Sequence, residues 1–369
     1  MDATLNKVDR VDRFDRPLVL VTAALIAFGI IMVYSASAVI SEQAYHTTYH
    51  YLVKHLVALA MGTAAGITLA TIDYRRLRHP AFVYGFLGVI LLLLVAVLFM
   101  PAVRGSHRWF RLGSFAVQPS EFAKLAMIVF CAYMLEKKAA RVNDFVHTLA
   151  PMLVIMATIV ATVLVQPDLG TAVSLVAIVG FMLFVAGLSW GYLAAGVALA
   201  VPLVIKLILD EPYRLARLMA FLYPWKDPLG SGFQPIQSLI ALGSGGVMGL
   251  GPAASRQKLF FLPEPHTDFI YAVIGEEYGF IGCALVLAAF VVFMMRGIKI
   301  TLAAREPFGF YLGMGVTAMI MYQVLVNVSV VLAIMPTKGT PLPFLSAGGS
   351  SLIVCMAGVG LLANLSRRR

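Results

Sequence analysis

The sequence predicts an all-α integral membrane protein, and two features of the 369-residue chain lead to that prediction. Hydrophobic residues make up 60% of the chain and charged residues only 12%, whereas soluble domains contain about 25% charged residues. Apolar runs of about 20 residues also recur, which is the length that crosses a hydrocarbon core of about 30 Å. Because lipid offers no hydrogen-bond partner to the backbone, these runs are expected to be helices.

Ten such runs are present, and together they form one membrane domain over residues 1–369, with 1–16 as a cytoplasmic tail. The predicted spans are 17–38, 51–71, 81–100, 119–136, 147–165, 169–187, 190–209, 268–295, 308–335 and 345–364. A small-x-small pattern at Ala36-Ser37-Ala38 resembles a signal-peptide cleavage site. The first run is longer than the 7 to 15 apolar residues of a signal peptide, so we expect it to be retained.

The orientation follows from the positions of the basic residues. They cluster at Lys7, Arg10, Arg13 and Arg16, at Arg75, Arg76 and Arg78, at Lys137, Lys138 and Arg141, at Arg296, Lys299 and Arg305, and at Arg367 to Arg369. Cytoplasmic connections are enriched in Lys and Arg, and ten crossings from an inside start return every cluster to that side. Both termini are therefore predicted to be cytoplasmic, and the net charge of +10 reflects topology and not nucleic-acid binding.

A long extracytoplasmic loop, residues 210–267, is predicted between spans seven and eight. Leu215, Leu218, Met219 and Leu222 fall on one helical face, which predicts a helix lying flat on the membrane. Residues 233–242 predict a second short helix. The three cysteines, Cys131, Cys283 and Cys355, fall inside spans, which favours small packing residues over disulfides or a metal cluster.

The segment 262–268, with sequence Leu-Pro-Glu-Pro-His-Thr-Asp, precedes the eighth span and is the predicted centre of the chemistry. Two prolines stiffen the approach to Asp268. A carboxylate at the lipid-water boundary can accept a proton from a sugar hydroxyl or bind a divalent cation, and His266 and Glu264 could assist. The competing interpretation makes Asp268 a first-turn acid that interacts with the helix dipole behind a Thr267 cap.

Basic residues on the outer side are exceptions to the charge rule and predict an anionic ligand. They are Arg104, Arg108, Arg111, Arg214, Arg217, Lys226, Arg256, Lys258 and Lys338. Arg108 and Arg111 flank Trp109 and Phe110, which combines forked donors with an aromatic surface suited to a diphosphate or a sugar. Contact with anionic lipid headgroups remains the alternative for each of them.

Two further carboxylates, Glu276 and Glu277, lie about 12 to 14 Å below the outer end of the eighth span and need partners at that depth. Lys124 is the predicted counter-charge, in a buried structural pair. An ordinary surface pair between Glu121 and Lys124, three residues apart on one helix, is the alternative.

Several ordered blocks of residues resemble the SEDS family of cell-wall proteins, which is also called the FtsW/RodA family. The matching blocks are residues 107–113, 118–122, 166–171, 226–228, 232–234, 237–238, 257–259, 262–277, 336–339 and 345–351, and the similarity covers essentially the whole chain. Thr337-Lys338-Gly339 and Arg111-Leu112-Gly113 are more similar to the division members than to the elongation members.

The resemblance implies a peptidoglycan glycosyltransferase that polymerises lipid II on the outer face of the bacterial cytoplasmic membrane, at the division septum. It places Asp268 at the family's essential external aspartate, acting as general base alone or through Mg²⁺ or Mn²⁺, with undecaprenyl diphosphate as the leaving group. The resemblance implies no certain cofactor, and that divalent cation is the one candidate. The diphosphate candidates are Arg108, Arg111, Arg214, Lys258 and Lys338, and Trp109, His266 and Ser350 complete the substrate-binding set.

The resemblance also implies partners: a class B penicillin-binding protein that crosslinks the glycan, and other divisome proteins. A lipid II flippase is the rival function, and a structural scaffold is a third. A transport path needs charges facing a cavity through the full depth of the membrane, whereas the polar groups here gather at the outer edge and no pair of broken helices is evident. An elongation polymerase is the alternative role within the family.

Overall fold

The computed structural model describes residues 14–101, 106–113, 115–259 and 261–367, and within them the chain forms twelve α-helices and one short β-hairpin. The tail residues Lys7, Arg10 and Arg13, the outer residue Arg104 and the last two arginines lie outside the described residues. The helices are α1 Arg16–Tyr45, α2 His50–Thr71, α3 Pro80–Ala96, α4 Pro119–Lys138, α5 Ala150–Val165, α6 Leu169–Val185, α7 Trp190–Leu209, α8 Pro212–Leu222, α9 Phe233–Gly245, α10 Ile270–Leu302, α11 Pro307–Val331 and α12 Gly349–Arg367.

Each predicted span coincides with one of these helices. Eight of them are long and apolar enough to cross a membrane. Of the other two helices at predicted spans, α6 is shorter, at 17 residues. Helix α4 is less apolar because it carries Glu121, Lys124, Lys137 and Lys138. An all-α membrane protein is thus confirmed, while the count of ten crossings and the cytoplasmic side stay predictions.

The ends of the described chain meet at one face of the bundle. The carboxylate of Asp15 caps α1 by accepting from Leu18 N at 3.0 Å, and the hydroxyl of Ser366 in α12 accepts from Asp15 N at 3.1 Å. The Arg296 guanidinium near the end of α10 pairs with the same carboxylate. The two ends of the described chain therefore lie on the same side, as an even number of crossings requires.

Helices α4, α11 and α12 form the interior. Nearly every described side chain of α12 is buried, and α12 packs most extensively against α2. Helix α7, in contrast, contains no buried residue and packs mainly against α8, which follows it.

The two helices of the outer loop lie where the sequence predicts them, but they differ in environment. Helix α8 exposes much of its surface, whereas α9 buries Ile236, Ser238 and Ala241 and packs against α10. The hairpin of β1 Phe110–Leu112 and β2 Phe115–Val117 was not predicted, since three-residue strands leave no periodic signal.

Helix α10 is broken at Gly279, which has φ +66° and ψ −163°. A broken helix leaves backbone groups without partners, and lipid cannot supply them. The glycine-rich segment 246–251 supplies these hydrogen-bond partners. Leu250 N and Gly251 N donate to the carbonyls of Glu276 and Glu277, and Phe280 N donates to Gly246 O, at 2.9 to 3.0 Å. A Cβ at Gly249 would lie 2.2 Å from Glu277 O, so this close approach requires glycine.

Candidate functional site

A cavity of about 700 Å³ opens at the end of the bundle that carries α8 and α9. The residue 106–118 segment, the starts of α4, α6 and α8, the 264–268 segment and the connection between α11 and α12 surround it. Four basic and five acidic side chains line it: Arg108, Lys124, Arg214 and Lys338, with Glu121, Asp168, Glu211, Glu264 and Asp268. The cavity therefore brings together most of the site residues that the sequence predicts for the outer side.

Asp268 lines this cavity and is half-buried. Its backbone is fixed on two sides. The Asn327 side-chain amide donates to Asp268 O at 2.8 Å and to Thr340 O at 2.7 Å, and Ala347 N donates to His266 O at 2.9 Å. Segment 266–268 is thereby joined to both α11 and the loop that follows it.

The capping interpretation of Asp268 is wrong. Helix α10 begins at Ile270 and has no side-chain cap, so Thr267 is not its N-cap. The Thr267 hydroxyl donates instead to Glu264 O at 3.3 Å. The backbone of Glu264 has φ +53°, a conformation that residues other than glycine rarely adopt. Such strain is found where the surroundings impose it, often at functional sites.

Gly339 forms the floor beneath the Asp268 carboxylate. A Cβ at residue 339 would lie 2.8 Å from Asp268 Oδ2, which is closer than van der Waals contact. The absence of a side chain at Gly339 therefore gives the carboxylate its position.

The Lys124 ammonium pairs with Glu121 at 2.8 Å, and both side chains are almost completely buried in the cavity wall. The predicted pairing of Lys124 with Glu276 or Glu277 is wrong. The alternative pairing with Glu121 is present, but the pair is buried and not at the surface as predicted. An i, i+3 pair needs no tertiary contact to form, whereas α10 turns Glu276 and Glu277 toward segment 253–258.

Glu277 pairs with Lys258 at 2.7 Å, with both side chains at most 6% exposed. The Ser35 hydroxyl on α1 donates to the same carboxylate oxygen at 2.7 Å. Glu276 accepts from Arg256 N at 2.9 Å and from the Ser255 hydroxyl. Lys258 is therefore a structural partner that does not line the cavity, and its assignment to the diphosphate is a wrong prediction.

The other basic candidates divide into two groups. Arg108 and Arg214 line the cavity, together with Trp109. Arg108 donates to Gln166 O at 2.9 Å, and Arg214 donates to Leu207 O at 2.7 Å. Arg111 lies exposed on β1 and does not line the cavity. The prediction that Arg111 binds the diphosphate together with the other basic residues is therefore not supported by its position.

Lys338 lines the cavity near the acidic side chains of Glu121 and Asp168. Its ammonium donates to Gly170 O at 2.6 Å, and Lys124, Asp168 and Glu121 are near enough to perturb it. Burial and, to a smaller extent, the charge of Lys124 lower the pKa of Lys338 to about 8, although Asp168 and Glu121 act in the opposite direction. Lys338 is thus a cation whose charge depends on pH near neutrality.

His266 and Ser350 occupy different places. The His266 ring is 4% exposed and lies 4.3 Å from the ring of Tyr51, outside the cavity lining, so the prediction of direct substrate contact is wrong. Ser350 does line the cavity, and its hydroxyl accepts from Gln118 N at 2.9 Å. That bond ties the start of α4 to the start of α12.

The comparisons with known proteins agree with this architecture. The profile of the FtsW/RodA/SpoVE family, described as cell cycle proteins, matches residues 16–369. The chain belongs to this family. A Geobacter metallireducens protein named probable peptidoglycan glycosyltransferase FtsW is 42% identical over 97% of this chain and 96% of its own length. Stage V sporulation protein E of Bacillus subtilis is 41% identical over 96% of this chain and 97% of its own.

Two solved structures share the fold of this family member. A chain of a structure described as "Structural coordination of polymerization and crosslinking by a peptidoglycan synthase complex" has a TM-score of 0.78 and 34% identity, with 96% of this chain and 98% of that chain covered. Thermus thermophilus rod shape determining protein RodA has a TM-score of 0.71 and 30% identity, with 99% of both chains covered.

Asp168 is an acidic cavity residue that the sequence-predicted set does not include. It caps α6 by accepting from Thr171 N at 3.0 Å, and it accepts from the Gln118 amide at 3.1 Å. Its position directly before an apolar run signals a helix cap. Only the tertiary structure shows that this cap also faces the cavity.

The described residues contain no group of three or more His, Cys, Asp or Glu side chains arranged to hold a metal ion. A divalent cation usually has several oxygen ligands, so the side chains near Asp268 do not form a complete protein-built site. The divalent cation predicted at Asp268 therefore stays a prediction.

Proposed function

We propose that this protein is a peptidoglycan glycosyltransferase that polymerises lipid II at the outer face of the bacterial cytoplasmic membrane, with Asp268 as the general base. The observation that carries the proposal is the placement of the Asp268 carboxylate in a charged cavity of about 700 Å³ at one end of the bundle. A saccharide and a diphosphate fit such a cavity, while the lipid tail stays in the bilayer.

In the proposed reaction, Asp268 accepts the proton of the 4-hydroxyl of the acceptor's N-acetylglucosamine. The oxygen then forms a bond to the anomeric carbon of the lipid-linked donor. The bond from that carbon to the diphosphate oxygen breaks, and its electron pair leaves with undecaprenyl diphosphate. A single displacement inverts the anomeric centre and needs no enzyme nucleophile.

The leaving diphosphate requires fixed positive charge. Arg108, Arg214 and Lys338 line the cavity and can supply it. Lys124 is engaged by Glu121, so it contributes mainly to the shape and polarity of the wall. Backbone carbonyls hold Arg108, Arg214 and Lys338 in place before substrate arrives, which lowers the cost of organising them.

Transport of lipid II is the alternative function, and the distribution of charge favours polymerisation. The charged lining of this cavity belongs to one end of the bundle. Among the described residues, the charges buried elsewhere are Asp15, Lys258, Glu276 and Glu277, and none of them lines this cavity. Lys258 pairs with Glu277, and Asp15 pairs with Arg296. A transport path for a diphosphate needs charges facing a cavity through the membrane.

Within the family, we assign the protein to cell division at the septum, in the role of FtsW, with an elongation role as the alternative. Thr337-Lys338-Gly339 supports the division role. We further propose that it acts with a class B penicillin-binding protein, whose transpeptidase crosslinks the new glycan, and with other divisome proteins.

The test is a gel assay of glycan chains made from purified lipid II by the protein and a penicillin-binding partner that lacks any glycosyltransferase site of its own. Asp268→Ala and Asp268→Asn are expected to abolish polymer. Asp210→Ala, which removes an exposed carboxylate at the end of α7, serves as the matched control and should leave polymer unchanged. Wild-type polymer from Asp268→Asn would overturn the assignment of the base.

A further inference from the structure

A second cavity, of about 750 Å³, lies at the opposite end of the bundle. It is formed by the 3₁₀ helix Tyr74–Arg78, the start of α3 and the end of α4. The charge rule assigns this end to the cytoplasm. None of the residues around it takes part in the reaction proposed above.

The 3₁₀ helix directs its arginines into this cavity because its other side is anchored. Tyr74 and Leu77 are buried, at 1% and 7% exposure, and the Tyr74 ring stacks on Phe308 with centroids 6.3 Å apart. With these two residues fixed in the core, Arg75, Arg76 and Arg78 project outward and line the cavity.

Two of the arginines are neutralised by carboxylates. Arg75 pairs with Glu306 at 2.8 Å, and Arg78 pairs with Glu306 at 2.9 Å and with Glu136 at 3.1 Å. These pairs fix the back wall of the cavity and hold its shape.

Two other cations remain available to a ligand. Arg76 is exposed, and among the described residues no ion pair joins it or Lys137 to a carboxylate. Lys137 donates instead to the Tyr133 hydroxyl at 2.6 Å and lies 4.2 Å from the centre of that ring. The cavity thus presents two cations beside an aromatic wall.

The cavity lies at the membrane boundary. Helix α3 begins at Pro80 in its lining, and the apolar span of α3 continues from there. Phe82 and Tyr84 in the first turns are 43% and 49% exposed, as expected of side chains at the interfacial level of a bilayer. A ligand here would have a charged group in the cavity and apolar chains along α3.

We propose that this cavity binds the headgroup of an anionic phospholipid of the inner leaflet, with Arg76 and Lys137 on its phosphate. Basic pockets between helices on the cytoplasmic side are suited to such headgroups. The Arg76 fork can bind two phosphate oxygens, while Lys137 acts as a point charge. The exposed face of α3 accommodates the acyl chains, which distinguishes a lipid from a soluble phosphate.

Native mass spectrometry of the full-length protein with an equimolar mixture of phosphatidylglycerol and phosphatidylcholine tests the proposal. Wild type should retain phosphatidylglycerol preferentially, and R76Q/K137Q should reduce that preference by about tenfold or more. The matched control is R141Q/K299Q, which removes two exposed cations predicted on the same side that do not line the cavity. It should keep the wild-type preference.

Four results would overturn the proposal: no lipid preference in wild type, an equal loss in R141Q/K299Q, displacement of the lipid by glycerol 1-phosphate at a similar concentration, or an unchanged preference in R76Q/K137Q. The first two would show that the pocket is not specific, and the third would show a soluble phosphate site. Unchanged melting temperatures of both variants establish that folding is intact. Because the readout is lipid retention, the outcome does not depend on the proposed polymerase activity.

Discussion

The side-chain amide of Asn327, near the C-terminal end of α11, donates one hydrogen bond to Asp268 O at 2.8 Å and a second to Thr340 O at 2.7 Å. Asn327 is 1% exposed, so water cannot replace either bond. One buried amide therefore fixes the distance between the proposed base and the loop that carries Lys338 and Gly339.

We predict that Asn327→Ala lowers glycan synthesis by about a hundredfold, because misplacing a catalytic group by about 1 Å has an effect of that order. Two carbonyls would also lose their donor, and an unsatisfied buried group destabilises a protein by about 1 to 3 kcal/mol. Measuring polymer yield together with the melting temperature separates the two effects. Asn364→Ala, which removes a buried amide that bonds Leu69 O at the other end of the bundle, should lower stability without a comparable loss of activity.

Gly339→Ala should reduce polymerisation while leaving the fold intact. The new methyl group would lie 2.8 Å from Asp268 Oδ2, and the carboxylate can rotate away, which removes it from its working position. Gly349→Ala is the control, because a Cβ there meets nothing closer than Ala116 O at 4.0 Å. Equal activities for these two variants would contradict a positional role for Gly339.

The charge of Lys338 predicts a pH dependence. Its pKa is lowered to about 8, so the ammonium is present below that pH and is lost as the pH rises through it. If Lys338 binds the donor diphosphate, kcat/KM should fall above about pH 8. The measurement is the pH profile of lipid II polymerisation at limiting substrate.

Lys338→Gln should lower kcat/KM on the order of a hundredfold, as removal of one preorganised donor commonly does, and should remove this alkaline limb. Lys338→Arg should keep the charge and move the limb to higher pH. Lys226→Gln, in the outer loop away from the cavity, should behave as wild type. An alkaline limb that persists in Lys338→Gln would assign the titration to another group.

The pair between Lys258 and Glu277 should be a determinant of stability. Removing one partner of a buried pair leaves an uncompensated charge and typically costs about 3 to 5 kcal/mol. Lys258→Met should therefore lower the melting temperature strongly, and Lys258→Met with Glu277→Leu should recover part of the loss. Thermal unfolding in a fixed detergent measures both, and equal stability of the single and double variants would argue against coupling.

Some of the site could be predicted from sequence because the signal is local. Asp268 was identifiable from the two prolines before it and the apolar run after it. The pair of Glu121 and Lys124 was recognisable as an alternative from a spacing of three residues on one helix. Signals of this kind need only the chain's own periodicity.

The wrong predictions share a physical cause. Lys258 and Arg111 are basic residues expected on the outer side, yet Lys258 turns inward to Glu277 and Arg111 is exposed on its hairpin. His266 lies two residues before Asp268 but packs on Tyr51. Charge and proximity in sequence do not determine the direction of a side chain in a loop, since that direction depends on what packs against it.

The sequence by itself determined the membrane class and the positions of the helices. An apolar run that crosses the bilayer must be about 20 residues long, and it must form a helix because lipid provides no hydrogen-bond partners for its backbone. Only the tertiary structure decided which charges meet. The break at Gly279 and the contacts of Asn327 join segments that are distant in sequence, and such contacts follow from complementary packing that no single segment encodes.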